Sequence, residues 1–222
     1  MLYCSRQEEP PLEDRTYAAI TADIVGSTEY YKTNGKPLRP RLLEALEKVN
    51  DRHRDALAVP FAITLGDEVQ GLASDPADAP RVVHDLRLQL SPLKCRVGVG
   101  IGSVVSELTE TTAQMEGLAF SLSREALVAA ASLKSGLTVY RADNRQIESV
   151  ANAVSLLIDV IQSRWTEKQW EAVRLRTELG DVSRTAAELG VTSPSVEDRL
   201  RSTCWREVVQ AVDSLREMLK QG

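Results

Sequence analysis

Two aspartates carry the strongest chemical signal in the chain. Asp23 closes a short β-rich apolar run that starts at Thr16 and ends at Gly26, and it is followed by Ser27 and Thr28. Asp67 lies in Leu65-Gly66-Asp67-Glu68, the Gly-Asp pair separating two apolar runs. A Gly-Asp pair between apolar runs is a hairpin signal, here with a carboxylate at the tip. If the first strand lies beside that hairpin, the two carboxylates converge and repel, and a divalent cation relieves the repulsion by binding both. Mg²⁺ (or Mn²⁺) takes one or two protein carboxylates and completes its shell with triphosphate oxygens and water. Gly26, Ser27 and Thr28, at the start of the next helix, are placed to receive phosphate oxygens on backbone N–H groups and hydroxyls. Taken singly, each Asp also fits a turn or cap role. Their joint occurrence ahead of a Gly-rich strand favours the metal reading.

The other reactive side chains offer less. His53 and His84 stand alone on helical segments, so no Ser-His-Asp or Cys-His arrangement can be assembled. Cys4, Cys95 and Cys204 are far apart and form no CxxC pair, which supports neither a disulfide framework nor a zinc site. Glu68 reads as solvated.

Several elements must position the aspartates. Leu38 to Ala56 puts Leu42, Leu43, Leu46 and Val49 at helical spacing. The hairpin runs from Val59 to Ala73, and Asp78 reads as the cap of a helix carrying Val82, Val83, Leu86 and Leu90. Lys94 to Val105 alternates as a strand, with Gly98, Gly100 and Gly102 leaving one face without side chains. Ala119 to Leu133 reads as a helix and Gly136 to Tyr140 as a last strand. The order β-α-β-β-α-β-α-β points to an α/β class, an α+β sandwich of ferredoxin-like topology. The strand signals stop near residue 145, which sets the expected organisation: a leader over 1–15, an α/β domain over 16–145 and a helical domain over 146–222.

Asp23-Ile-Val-Gly-Ser-Thr, Gly66-Asp67 and Arg96-Val-Gly-Val-Gly-Ile-Gly resemble the three signatures of class III nucleotide cyclases. With Gly66-Asp-Glu-Val-Gln-Gly and Gly117-Leu-Ala-Phe-Ser-Leu-Ser-Arg124-Glu-Ala-Leu, the chain is similar to the SatD family, bacterial proteins that join a cyclase-like domain to a C-terminal helix-turn-helix. The resemblance implies a nucleotide cyclase-like sheet, metal ligands at Asp23 and Asp67, and nucleotide contacts that include Gly100 and Arg124. For Gly100 the alternative is close backbone packing, and for Arg124 a helix-surface position. Where adenine-specific cyclases carry a Lys, this chain has Ile63; where they carry a transition-state Asn and Arg, it has Ser121 and Glu125, with Arg124 one step out of register. Such charge stabilisation is often the largest catalytic contribution, so the resemblance carries metal binding further than cyclisation. No catalytic residue is assigned.

In the C-terminal part, Thr166 reads as an N-cap ahead of Trp170 and Val173. Asp181 to Gly190 is a short helix closed by glycine, and Val191-Thr-Ser-Pro starts another. Ala187, Leu189, Val191, Val196 and Leu200 are the expected small core of a helix-turn-helix. The second helix of such a motif enters the major groove, which makes Ser193, Ser195, Arg199 and Arg201 the base-reading candidates and Arg184 and Arg206 the phosphate contacts. The segment from Ser163 to Gly222 holds ten Lys/Arg and ten Asp/Glu, net zero. Leu156, Leu157, Val160, Val208, Val212, Leu215 and Leu219 form apolar stripes that suit a core.

A net charge of −5 over 222 residues excludes a nucleic-acid coat or a general membrane-surface binder but not a small DNA reader. Hydrophobic residues at 43% suffice for a core, and the polar start lacks the pattern of a signal peptide. The expected setting is cytoplasmic, without a membrane span. The leading expectation is a homodimeric, DNA-binding transcription regulator responsive to a metal-bound nucleotide or nucleotide messenger. The alternative is a divergent cyclase or nucleotidyltransferase with a helical regulatory tail.

Overall fold

The computed structural model describes residues 15–27, 30, 37–133 and 137–221. Thr28 and the leader over 1–14 therefore lie outside the described residues. Five strands form one sheet: β1 (Thr16–Ile24), β2 (Leu57–Leu65), β3 (Glu68–Ala73), β4 (Cys95–Ser103) and β5 (Thr138–Ala142). Their spatial order is β2-β3-β1-β4-β5. The β2–β3, β3–β1 and β1–β4 pairs are antiparallel, the ferredoxin-like arrangement, and β5 adds to β4 in parallel. β1 is the central strand and is almost wholly buried, which is why it reads as an unbroken apolar run.

Alternation in β1 and β4 divides the sheet into two faces. Ala18, Ile20, Ala22 and Ile24, with Val97, Val99 and Ile101, meet helices α1 (Arg39–Arg52) and α2 (Ala79–Leu90). Leu42, Ala45, Leu46 and Val49 recur at helical spacing on α1 and are buried; each leucine so placed contributes about 1.5–3 kcal/mol. Leu43, expected on that face, is 49% exposed because it sits a full residue step away from the stripe. The opposite face is covered by α3 (Leu118–Ser132), which lies on the side-chain-free face of β4.

Five further elements complete the chain: α4 (Arg145–Gln162), α5 (Glu167–Leu179), α6 (Val182–Leu189), α7 (Ser193–Ser202) and α8 (Trp205–Leu219). α4 follows β5 after a short connection, starting at Arg145. Ile158, Trp165, Val173, Ala186, Val196, Leu200, Val208 and Val212 form a second apolar cluster, and Leu88 of α2 belongs to it. Conversely, Leu215 and Leu219 of α8 belong to the sheet core. Arg81 pairs with Asp213 at 2.8 Å and Arg216 with Asp78 at 3.2 Å across the same junction. Asp78 does sit at the N-cap position of α2, but its side chain makes no cap hydrogen bond and turns instead to Arg216. Asp75 caps the short 3-10 turn before it, accepting from Ala77 N at 2.8 Å. Among the described residues no helix is long and apolar enough to cross a membrane.

Candidate functional site

Asp23 is the last outward-facing residue of β1 on the α3 side of the sheet. It pairs across the ladder with Arg96, whose Nη1 lies 3.4 Å from Asp23 Oδ2. Its other oxygen, Oδ1, is buried and has no hydrogen-bond partner among the described residues. Burial pushes the Asp23 carboxyl above the usual aspartate range; Arg96 pulls it down, and the nearby charges of Asp67 and Glu68 push it up again. The negative charge of Asp67 thus reaches Asp23 from the β2–β3 turn. Asp67 occupies the two-residue turn between Leu65 and Glu68, where Gly66 adopts φ +60, a conformation that suits glycine. Asp67 makes no hydrogen bond or ion pair among the described residues.

Past Asp23 the chain turns at Gly26, which is exposed at φ +74 and whose carbonyl oxygen accepts from Tyr30 N at 2.9 Å. Gly26 and Ser27 thus flank Asp23 at the same end of β1. Arg124 on α3 is 60% exposed and directs both terminal nitrogens at Glu68, each 3.4 Å from a carboxylate oxygen. Glu68 is not solvated as expected: its side chain is 16% exposed and also accepts from Thr64 Oγ1 at 3.0 Å. Ile63 is half-buried on β2, and Ser121 and Glu125 are exposed on α3.

Gly100 is not open to a ligand. A Cβ there would lie 2.1 Å from Ala119 O and 2.2 Å from Ser123 N, so the helix backbone occupies the space a nucleotide would need. Gly98 is in the same position, 2.1 Å from Ser123 O. Of the two roles the sequence left open for these glycines, close packing is the one realised. A hydrogen-bond relay holds α3 in place: Gln70 Nε2 donates to Thr21 Oγ1 at 2.8 Å, Thr21 lies 3.0 Å from Ser123 Oγ, and Ser123 donates to Phe120 O at 2.9 Å. No periodicity announces this relay, whose members sit on three elements.

In the helical part, Asp181 caps α6 by accepting from Arg184 N at 2.8 Å, Gly190 is left-handed, and Thr192 caps α7 by accepting from Ser195 N at 3.4 Å. Ala186, Val196 and Leu200 face inward; Ala187, expected in that core, is exposed because Ala186 takes the inward position. Ser193, Ser195 and Arg199 are half-buried, while Arg184, Arg201 and Arg206 are exposed. Arg201 pairs with Asp198 on its own helix at 3.0 Å, and Arg206 lies at the start of α8, not on α7.

A polar cluster unforeseen from periodicity joins the two halves. Arg87 of α2 and Asp159 of α4 are both buried and hydrogen-bonded, and Asp159 Oδ2 accepts from Leu137 N and Thr138 N at 2.7 Å each. The signal was a lone charge in an apolar stripe: Asp159 follows Ala151, Ser155 and Ile158 on the buried face of α4. Two residues before Arg87 on α2, Asp85 approaches His53 at 3.3 Å and Arg52 at 2.6 Å.

The sheet order and two-sided helix packing define an α/β protein with a ferredoxin-like core and a carboxylate, Asp23, at the end of its central strand. The chain belongs to the SatD family, whose model matches residues 17–206. Among solved structures, a bacterial light-regulated adenylyl cyclase is similar at 14% identity and TM-score 0.41, covering 68% of this chain and 81% of that one. A class III adenylyl cyclase-like ATP-binding protein from Pseudomonas aeruginosa is similar at 15% identity and TM-score 0.42, covering 67% and 41%. A regulator of polyketide synthase expression from Bifidobacterium adolescentis is similar at 16% identity and TM-score 0.27, covering 92% and 85%. At these values the likenesses carry no argument about activity. No curated protein is significantly similar.

Proposed function

We propose that the protein is a ligand-responsive DNA-binding regulator whose cyclase-like cleft takes a nucleotide through a divalent cation. The observation that carries the reading is Asp23. Among the described residues its Oδ1 is buried without a partner, Asp67 and Glu68 add negative charge beside it, and Arg96 stands 3.4 Å from its other oxygen. A cation bound between Asp23 and Asp67 offsets that charge. No group of three or more His, Cys, Asp or Glu able to hold a metal occurs among the described residues. Two carboxylates suit Mg²⁺ or Mn²⁺ brought in with phosphates, since such ions take the rest of their shell from the ligand and water. Gly26, Ser27 and Thr28 are the proposed phosphate contacts, and the ion supplies charge neutralisation there when bound.

Arg124 is committed to Glu68 and Ile63 replaces the purine-reading Lys, which favours binding over cyclisation. DNA contact is assigned to α7 with Arg184, Arg199, Arg201 and Arg206, and a two-fold operator calls for two copies of the chain. Thermal melting with ATP, GTP, CTP and UTP, each with and without Mg²⁺ or Mn²⁺, tests the cleft. A ligand at about 100 times its Kd adds about 2.7 kcal/mol to stability, and that gain disappears in Asp23→Asn and Asp67→Asn. If no nucleotide raises the melting temperature, or the Asn variants respond as the parent does, the cleft reading fails.

A further inference from the structure

The sheet end that carries Asp23 continues across β4 and β5. Asp23 stands opposite Arg96 on β4, Val25 N donates to Lys94 O at 2.8 Å, and β5 enters beside β4 with Thr138 opposite Val97. Neighbouring strands lie about 4.8 Å apart, so along this end β5 stands about 10 Å from β1. A cavity of about 450 Å³ opens onto the same stretch. Val25, Lys94 and Arg96 line its sheet end, and Trp165, Glu167 and Trp170 line the end where α5 begins.

Charge along the cavity is ordered. Lys94 is exposed, and Arg96 both lines the cavity and reaches Asp23 Oδ2 at 3.4 Å, so the cavity adjoins the proposed cation site. Glu167, an exposed carboxylate in the first turn of α5, marks the opposite end. Beside it the two indoles meet edge to face, centroids 4.6 Å apart. Trp165 is fixed, its Nε1 donating to Thr203 O at 2.9 Å, and it braces Trp170, which stays half-buried.

A matching ligand is anionic at one end and flat and aromatic at the other, with N–H donors on the outer edge of its ring. Nucleotides have that order. Phosphates suit the cations beside Asp23, and a base stacks on an indole because every base has a π-face. A carboxylate only accepts, so the base must present donors to Glu167. Guanine presents two side by side, N1–H and its 2-amino group, whereas adenine presents one donor next to an acceptor; paired donors on one carboxylate make the stronger contact. We infer that the ligand of the Asp23–Asp67 cleft is a guanine nucleotide, with its base on Trp170, its donor edge on Glu167 and its phosphates toward Arg96 and the cation. The cavity volume falls in the usual range of small-molecule sites. This assignment rests on the cleft reading above and adds a link from the ligand to α5, the first helix of the part that carries α6 and α7.

Tryptophan fluorescence and calorimetric titration of the full chain with GTP, ATP and guanosine, each with Mg²⁺, test the assignment. GTP should quench the indole emission, saturate one site and bind about tenfold or more tighter than ATP. Trp170→Ala should weaken both nucleotides about tenfold or more. Glu167→Gln, at an exposed position, should weaken GTP by a similar factor and leave ATP nearly unchanged; melting curves verify that both variants fold. Guanosine, having no phosphates, should respond to Glu167→Gln but not to Asp23→Asn. ATP binding as tightly as GTP, or GTP indifferent to Glu167→Gln or to Trp170→Ala, would overturn the inference, and loss of binding in Asp23→Asn would then leave the cleft reading standing. GTP unaffected by Asp23→Asn would remove the cation cleft and with it the phosphate half of the assignment, and the absence of any saturable nucleotide binding would remove both.

Discussion

Gly100→Ala is the sharpest probe of how the site is built, because the cost can be worked from distances. The added Cβ would stand 2.1 Å from Ala119 O and 2.2 Å from Ser123 N, both backbone atoms of α3, which cannot rotate away. Ordinary contact begins at 3.4 Å, so α3 must lift from the sheet by about 1.3 Å at this point. Overpacking a core by one methylene costs about 1–3 kcal/mol, and the upper end applies when backbone is struck. Lifting α3 also parts Ser123 from Thr21, now 3.0 Å apart, at about 1 kcal/mol more. A loss of about 3–4 kcal/mol lowers the melting temperature of a chain this size by roughly 6–15 °C.

Gly102→Ala is the internal control: its nearest atoms lie at 3.0 and 3.1 Å, one of them the flexible Leu118 side chain, so it should lose under about 1 kcal/mol. Circular-dichroism melts and urea titrations of the two variants read the difference. Were Gly100→Ala to melt within about 2 °C of the parent, or Gly102→Ala to lose as much, the close-packing account of the glycine strand would be wrong.

Three other outcomes are expected. Asp23 ionises above its unfolded value of 3.8, so its contribution is favourable below that pH and is lost as pH rises through the higher folded value; at pH 7 without metal, Asp23→Asn should stabilise by up to about 1 kcal/mol, and a destabilised variant would refute this. Burial holds His84 at about 4 against 6.5 unfolded, with Arg87 pushing the same way, Asp85 and Asp213 opposing, and Gln162 facing its Nδ1 at 3.2 Å; the unfolded chain binds the extra proton first, so stability falls by at most about 3 kcal/mol between pH 6.5 and 4, and His84→Gln should flatten that part of the melting profile. With at most four cationic contacts per copy, from Arg184, Arg199, Arg201 and Arg206, log Kd for DNA should change with log salt by about 4 per protomer; a much steeper slope in gel-shift titrations would place the DNA surface elsewhere.

What the sequence made legible follows its periodicities. The central β1, the amphipathic α1 and the hairpin carrying Asp67 read directly because their apolar spacing is regular. Asp23 and Asp67 could be proposed as a pair because both stand at ends of strands that topology makes neighbours. The role of Gly100 was not, since a strand without side chains looks the same whether a ligand or a helix lies on it. Glu68 and Arg124 are 56 residues apart, and their pairing depends on how α3 lies over the hairpin. The Arg87–Asp159 pair and the Thr21–Ser123 contact likewise join distant elements, and no local pattern encodes them. Ala186 in place of Ala187 is a one-position phase error on a short helix, where two turns give the period little leverage.

The docking of the helical part limits how a ligand can act on DNA binding. Leu215 and Leu219 of α8 lie in the sheet core at 2% and 5% exposure, and pulling them out costs about 3–6 kcal/mol before any other contact is counted. A ligand can supply that only by preferring the detached state about 10²- to 10⁴-fold, and the two exposed or half-exposed ion pairs at the junction add little to it. A swinging helical domain is therefore the wrong picture for this chain. The α6–α7 pair is held by fewer inward groups, chiefly Ala186, Val196 and Leu200, and can tilt on α5 and α8 at lower cost. Hydrogen exchange with and without a stabilising nucleotide and Mg²⁺ should then change protection over residues 182–202 and leave 208–219 as it was; a change centred on α8 would restore the swinging domain and remove the shared core from the account.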